Sequence, residues 1–273
     1  MELKNTFRLT ALFAVLIAVL GTVGYSFMGW TGLVLGLGFG VATNFVSYFY
    51  SDRVVLKMYD ARELGSERSD IRGMVKKLAE KAEIPVPDMY VMDSDTPNAF
   101  ATGRNPENSA VCFTTGLLEN LEKDEIEGVL AHEISHIKNR DTLIQAVAGT
   151  IAGAISIIAQ MMWFSSLDEN RNPAFMLGGM LMAPLAASLL RMAISRSREY
   201  AADTTASKYT DPENLASALR TIESSVSSRP MRSGPRGTSH MFIVNPFRSD
   251  ALSRLFSTHP PTDDRVQRLR EMS

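Results

Sequence analysis

Four long apolar runs punctuate a chain that is otherwise charged and amphipathic. No charged residue occurs from Leu9 to Ser51, enough for two membrane helices of about 20 residues each. The break between them falls at Gly24-Tyr25-Ser26-Phe27-Met28-Gly29-Trp30, where glycines and interfacial aromatics suit a tight turn at a headgroup boundary. A cleaved signal peptide is the rival reading, since Lys4 and Arg8 resemble a basic n-region. No A-x-A-like cleavage site follows and a second apolar run begins at once, which favours an anchor. A third uncharged run extends from Thr142 to Leu167, rich in small residues suited to close helix packing. The polar link 168–172 leads to a fourth, from Pro173 to Leu190.

The pattern predicts a polytopic protein with four transmembrane helices arranged as two hairpins, 1–51 and 142–195. Two other parts, 52–141 and 196–273, would be exposed to the cytoplasm. Lys4 and Arg8 precede the first hairpin, and Arg53, Lys57 and Arg62 follow it. Lys138 and Arg140 precede the second, and Arg191, Arg196 and Arg198 follow it. The positive-inside rule then places both termini and both charged parts on the cytoplasmic side of the cell membrane.

Within the charged parts the periodicity changes. Residues 66 to 83 read as a surface helix with Ile71, Val75, Leu78 and Ala79 on its apolar face and lysines outside it. Met89-Tyr90-Val91-Met92 reads as a short strand. Thr96 to Arg104 and Ser109 to Thr114 read as a hairpin, whose first limb is short, polar and suited to a sheet edge. From 224 to 246 the sequence is rich in Ser, Arg, Gly and Pro and reads as a mobile loop, with His240 an incidental surface residue. The fold expected is mainly α with a small β-sheet.

Composition adds little. Lys+Arg 28 against Asp+Glu 30 leaves no basic surface for nucleic acid. The single cysteine, Cys112, excludes an internal disulfide framework and reads as a small buried hydrophobe.

The chemistry lies in Ala131-His132-Glu133-Ile134-Ser135-His136. Two histidines four apart on a helix can grip one Zn²⁺, and the glutamate between them can act as general base on a water that the metal activates. Asp124 and Glu127 read as a capping box for this helix, and Ile126, Val129, Leu130, Ile134 and Ile137 as its core face. A third ligand is needed. Glu199 and Asp203 are four apart and share a helix face: Glu199 is the natural third ligand, and Asp203 could accept the free N–H of a ligating histidine. No glycine or proline lies between Glu133 and Gln145, or between Arg191 and Asp203. Continuous helices are therefore expected to carry the ligands straight from the third and fourth apolar runs. His259, in Thr258-His259-Pro260-Pro261, and Tyr200 both remain open as the donor that stabilises a tetrahedral oxyanion. On residues alone, the 96–114 hairpin reads as an ordinary surface hairpin.

His132-Glu133-Ile134-Ser135-His136, Arg198-Glu199-Tyr200-Ala201-Ala202-Asp203, Pro97-Asn98-Ala99-Phe100-Ala101-Thr102-Gly103 and His259-Pro260-Pro261 together resemble the HtpX family of membrane-integrated heat-shock zinc metalloproteases. The resemblance covers essentially the whole chain. It implies a gluzincin-type domain facing the cytoplasm, with one zinc per chain held by His132, His136 and Glu199 and with Glu133 as base. It implies that Asn98, Ala99, Phe100 and Ala101 form a substrate-binding edge. The substrates it implies are misfolded or damaged membrane proteins and other unfolded polypeptides, in a quality-control role. The prenyl-protein endopeptidases resemble this chain at the metal motifs but have more spans than fit here. An idle client-holding factor would have no use for Glu133, and a transporter would be expected to carry charges within its spans.

Overall fold

The structure is a computed structural model. It describes residues 28–42, 55–142, 173–231, 241–247 and 259–273 with isolated positions beside them; the side chains of 173–191 are described only in part. The chain divides into two compact units, Met1–Phe49 with Ile144–Ile194 and Tyr50–Leu143 with Ser195–Ser273.

In the first unit, residues 28–42 are helical. Gly29 adopts φ +58 within the expected break. A Cβ on Gly24 would lie 1.9 Å from the Gly32 carbonyl oxygen, so two backbones touch where no side chain intervenes. Among the described residues no helix is long and apolar enough to cross a membrane. Most of the first and third apolar runs lies outside the described residues.

The second unit is built on a four-stranded sheet of β1 (Arg62–Glu63), β2 (Asp88–Met92), β3 (Ala99–Asn105) and β4 (Asn108–Thr114), in the order β1-β2-β4-β3. β2 and β4 run parallel, whereas β1 and β3 pair antiparallel with their neighbours. β3 is therefore an edge strand, as its short polar sequence suggested. The helices of this unit are α1 (Ser69–Ala82), α2 (Thr115–Asn120), α3 (Lys123–Asn139), the part of α4 (Pro173–Ala206) from Ser195 onward, α5 (Pro212–Ser228) and α6 (Thr262–Arg270).

Alternation along the strands sorts side chains between two cores. Ala99, Ala101, Val111 and Phe113 enter the main one with Ile71, Val75 and Leu78 of α1, and with Val129, Leu130 and Ile134 of α3. Phe100 and Cys112 enter a smaller one with Phe242. Burial pushes the Cys112 thiol up to about 12, so it stays protonated and inert.

Helix α3 starts two residues earlier than the sequence suggested. Its capping box is Glu122 with Glu125, in place of Asp124 with Glu127. The buried Glu125 carboxylate receives the Glu122 N–H and also the hydroxyls of Ser217 (2.7 Å) and Thr221 (2.8 Å) on α5. That second set of partners ties the metal helix to α5 and selects the register. The two helices cross at Gly128, where a Cβ would sit 2.5 Å from the Leu215 backbone nitrogen. Gly128→Ala gains up to about 1 kcal/mol of helix propensity. It must also force the helices apart, at about 1–3 kcal/mol. We expect a lower thermal midpoint than wild type in the same detergent, by roughly 3–6 °C; an unchanged or raised midpoint would show that the crossing can yield.

Two further expectations are corrected. The stretch 224–246 is not all loop: α5 continues to Ser228 because Ile222 is buried and Val226 packs on the main core. Phe242 and Ile243 are also buried (1 % and 2 % exposed), and Met231 N–H donates to the Pro246 carbonyl. His240 lies outside the described residues. Nor does α3 run on unbroken towards the third apolar run. It ends at Asn139, with Arg140 left-handed (φ 56) and its N–H on the His136 and Ile137 carbonyls. A non-glycine residue in that region is uncommon.

Candidate active site

The turn at Arg140 brings Asp141 back over the last turn of α3. Its carboxylate stands 2.9 Å from His136 Nδ1 and also accepts from Arg198 of α4. Asp203, one turn after Glu199 on the same helix, stands 3.0 Å from His132 Nδ1. Each histidine thus meets a carboxylate at Nδ1, a pattern that puts the proton there and leaves Nε2 as a lone pair. The two Nε2 atoms are 3.0 Å apart. Glu199 approaches both, with Oε2 3.6 Å from His132 Nε2 and Oε1 3.5 Å from His136 Nε2. One ligand atom from each of His132, His136 and Glu199 lies within 4.8 Å of the others. The three donor groups face one another, His132 and Glu199 buried and His136 partly so. A divalent cation fits this donor set.

Behind it lies Arg265 of α6, only 1 % exposed. Its Nε donates to Asp203 Oδ2 (2.9 Å) and its Nη2 to Asp203 Oδ1 (2.7 Å). Its Nη1 donates to the Ile243 carbonyl (3.0 Å) and lies 3.3 Å from Glu199 Oε2. His259, at the entrance to α6, places Nδ1 3.6 Å from the same oxygen. Tyr200 faces elsewhere, with its ring under the Arg268 guanidinium at 4.2 Å. Arg265, Arg198 and Asp141 were not anticipated from the sequence.

These charges separate the two glutamates. Burial raises the Glu133 pKa, and the nearby His132 and His136 only partly oppose it. Burial acts on Glu199 in the same direction, but hydrogen bonding to His132 and His259 holds it well below the ordinary range. Burial likewise works against Asp203, whose carboxyl Arg265 and His132 keep low. For His132, burial favours the neutral ring, yet Asp203 and Glu199 push it up to about 9. Glu199, at His132 Nε2, would equally favour a metal ion on that nitrogen. Glu133 Oε2 is buried without a hydrogen-bond partner, and the Ala101 backbone of β3 beside the same carboxylate opposes the rise only weakly. One glutamate is built to stay charged and the other to take a proton.

Asp141→Asn can still accept a hydrogen bond from His136 but loses the charge that Arg198 clamps. Metal affinity is expected to fall about 10–100-fold, measured by competition with a chromogenic chelator; equal affinity in both proteins would dismiss the role.

A buried glutamate between two histidines that could hold a metal ion, beside the edge strand β3, is an arrangement suited to a metalloprotease. The sequence profile of Peptidase family M48 matches residues 66–273. A "Protease HtpX homolog" of Thermococcus sibiricus is 46 % identical over 285 residues, covering 100 % of this chain and 98 % of that one. Those of Pyrococcus abyssi and Salinibacter ruber are also 46 % identical, with 97 % and 98 % of this chain and 95 % and 98 % of theirs covered. The crystal structure of S. mikatae Ste24p shares the fold, with a TM-score of 0.61 at 19 % identity. That match covers 98 % of this chain and 65 % of Ste24p, so this chain spans just under two thirds of that protein. The chain belongs to peptidase family M48, alongside the HtpX-type proteases.

Proposed function

We propose that the protein is a membrane-anchored zinc endopeptidase that cuts misfolded or damaged membrane proteins on the cytoplasmic side. The observation that carries the chemistry is the convergence of His132 Nε2, His136 Nε2 and Glu199 next to the buried, unpartnered Oε2 of Glu133. His132, His136 and Glu199 would hold one zinc ion. Zinc bound there would supply Lewis acidity, polarising the scissile carbonyl and lowering the pKa of a water. Glu133 takes a proton from that water and returns it to the leaving nitrogen. Asp203 and Asp141 keep the two imidazoles turned towards the metal position. His259, near Glu199, is better placed than Tyr200 to donate to the developing oxyanion.

The anchor reading rests on the uncharged runs and on what the described part of the first unit exposes. Trp30, Val34, Leu35 and Phe39 are all more than half exposed along one helical stretch, a surface suited to lipid. With the hairpins at 1–51 and 142–195, the basic flanks put the catalytic parts in the cytoplasm.

The test is digestion of casein by the detergent-purified protein, with zinc content measured on the same sample. Activity that a chelator abolishes and zinc restores supports the reading. A protein that binds stoichiometric zinc and cuts nothing would defeat it.

A further inference from the structure

The outer edge of β3 is not open along its whole length. Thr114 N–H donates to the Asn98 carbonyl. In the alternating ladder the backbone groups of Phe100 and Thr102 therefore face β4, and those of Ala99, Ala101 and Gly103 face outward. The chain itself uses the first three outward groups. Ala99 N–H donates to the Asn98 side-chain oxygen (3.1 Å). The Ala99 carbonyl accepts from Ile243 N–H (3.1 Å). Ala101 N–H faces the Glu133 carboxylate. Among the described residues, the Ala101 carbonyl is the first outward group with no such partner.

Ile243 is firmly seated. Its carbonyl accepts from Arg265, and its side chain lies in the main core. The adjacent Phe242 packs edge-on against Phe100 (5.2 Å) and Tyr59 (5.5 Å) in the other core. The Val244 carbonyl accepts from the Asn98 amide (2.7 Å). One segment is thereby fastened to both faces of the sheet and to the arginine behind the metal ligands.

We propose that Met241–Phe247 is a fixed stop on the substrate edge: Ile243 occupies the backbone position at Ala99, so a substrate strand is held only from Ala101 towards Gly103. The inference rests on the peptidase reading above. The helix that carries Glu133 packs against β3, with Ala101 and Ile134 in one core; this sets Glu133 beside Ala101, so the bond that is cut lies alongside Ala101, about 7 Å from the stop at Ala99. On that flank there is room for roughly one residue. On the other flank the edge continues past Gly103 to a small crevice lined by Gly103, Ser109, His136, Ile137 and Arg140. Gly103 itself sits at φ +128, and a Cβ there would lie 2.4 Å from the Asn108 carbonyl oxygen. The substrate class is an extended peptide read from one side of the scissile bond.

The test uses internally quenched peptides with a mapped cleavage site, shortened one residue at a time from each end, on the zinc-loaded full-length protein. On one flank, removal of everything beyond the first residue should change kcat/KM less than 3-fold. On the other, removal of the second residue should lower it more than 10-fold. Equal losses on both flanks would overturn the proposal, whereas absence of any zinc-dependent cleavage would overturn the peptidase reading instead. Hydrogen exchange on the zinc-loaded Glu133→Gln protein distinguishes a fixed stop from a displaceable strap. Protection of the Ile243 amide should hold or rise when the longest peptide binds. A fall of more than 10-fold would mean that substrate displaces Ile243, and the stop would not be fixed.

Discussion

Glu133→Gln is expected to lower kcat/KM on an unfolded protein by about 10³-fold while bound zinc and the thermal midpoint stay at wild-type values. Glutamine has nearly the same shape and can still lie against Ala101, so the fit to β3 survives. What it cannot do is receive a proton. In the wild type, burial raises the affinity of this carboxylate for a proton, which suits a group that must take one from water and release it to an amine. The rest of the site should not notice the change, because Glu133 makes none of the contacts that bring His132, His136 and Glu199 together. Paired measurements of zinc content and digestion rate decide it. Near-normal hydrolysis in the variant would remove Glu133 as base, whereas lost zinc would make it a ligand or an essential support.

The parts of the site legible in the sequence are those fixed by helical spacing. His132 and His136, and again Glu199 and Asp203, are four residues apart on single helices, so local geometry alone puts each pair on one face. Asp141 was not legible, because its position depends on a left-handed arginine at 140. Sequence gives no warning of that conformation where glycine or asparagine is absent. Arg265 did leave a trace. Thr262, Arg265, Val266 and Leu269 recur at helical spacing, and Arg265, Val266 and Leu269 are the buried ones. An arginine inside the apolar stripe of a nine-residue helix requires an anionic partner in the core. The partner, Asp203, is 62 residues away, and only the fold brings the two together. Ile243 on the edge of β3 is hidden for the same reason. Its stretch, Phe242-Ile243-Val244, is too short to overrule the polar residues around it.

Asp203→Ala should be the most damaging substitution to stability within this cluster. Arg265 is buried and its guanidinium is held on two sides by Asp203; burial opposes its charge, and Asp203 more than restores it. Without Asp203 it keeps only the Ile243 carbonyl and the edge of Glu199 as buried acceptors. A buried charge deprived of its main partner costs about 3–5 kcal/mol, or roughly 10 °C in midpoint for a domain of this size. His132 Nδ1–H loses its acceptor in the same step, so metal affinity should drop by a further 10–100-fold. The two effects can be separated. Arg265→Met alone strands Asp203 and should destabilise too. Asp203→Leu combined with Arg265→Met replaces the pair with apolar groups, and should recover most of the lost stability but none of the lost metal affinity. Thermal unfolding of the three variants beside the wild type, with and without zinc, gives both quantities. A stability for Asp203→Ala within about 1 kcal/mol of wild type would mean that Arg265 does not depend on Asp203. Recovery of metal affinity in the double variant would mean that Asp203 acts on stability alone and has no part in orienting His132.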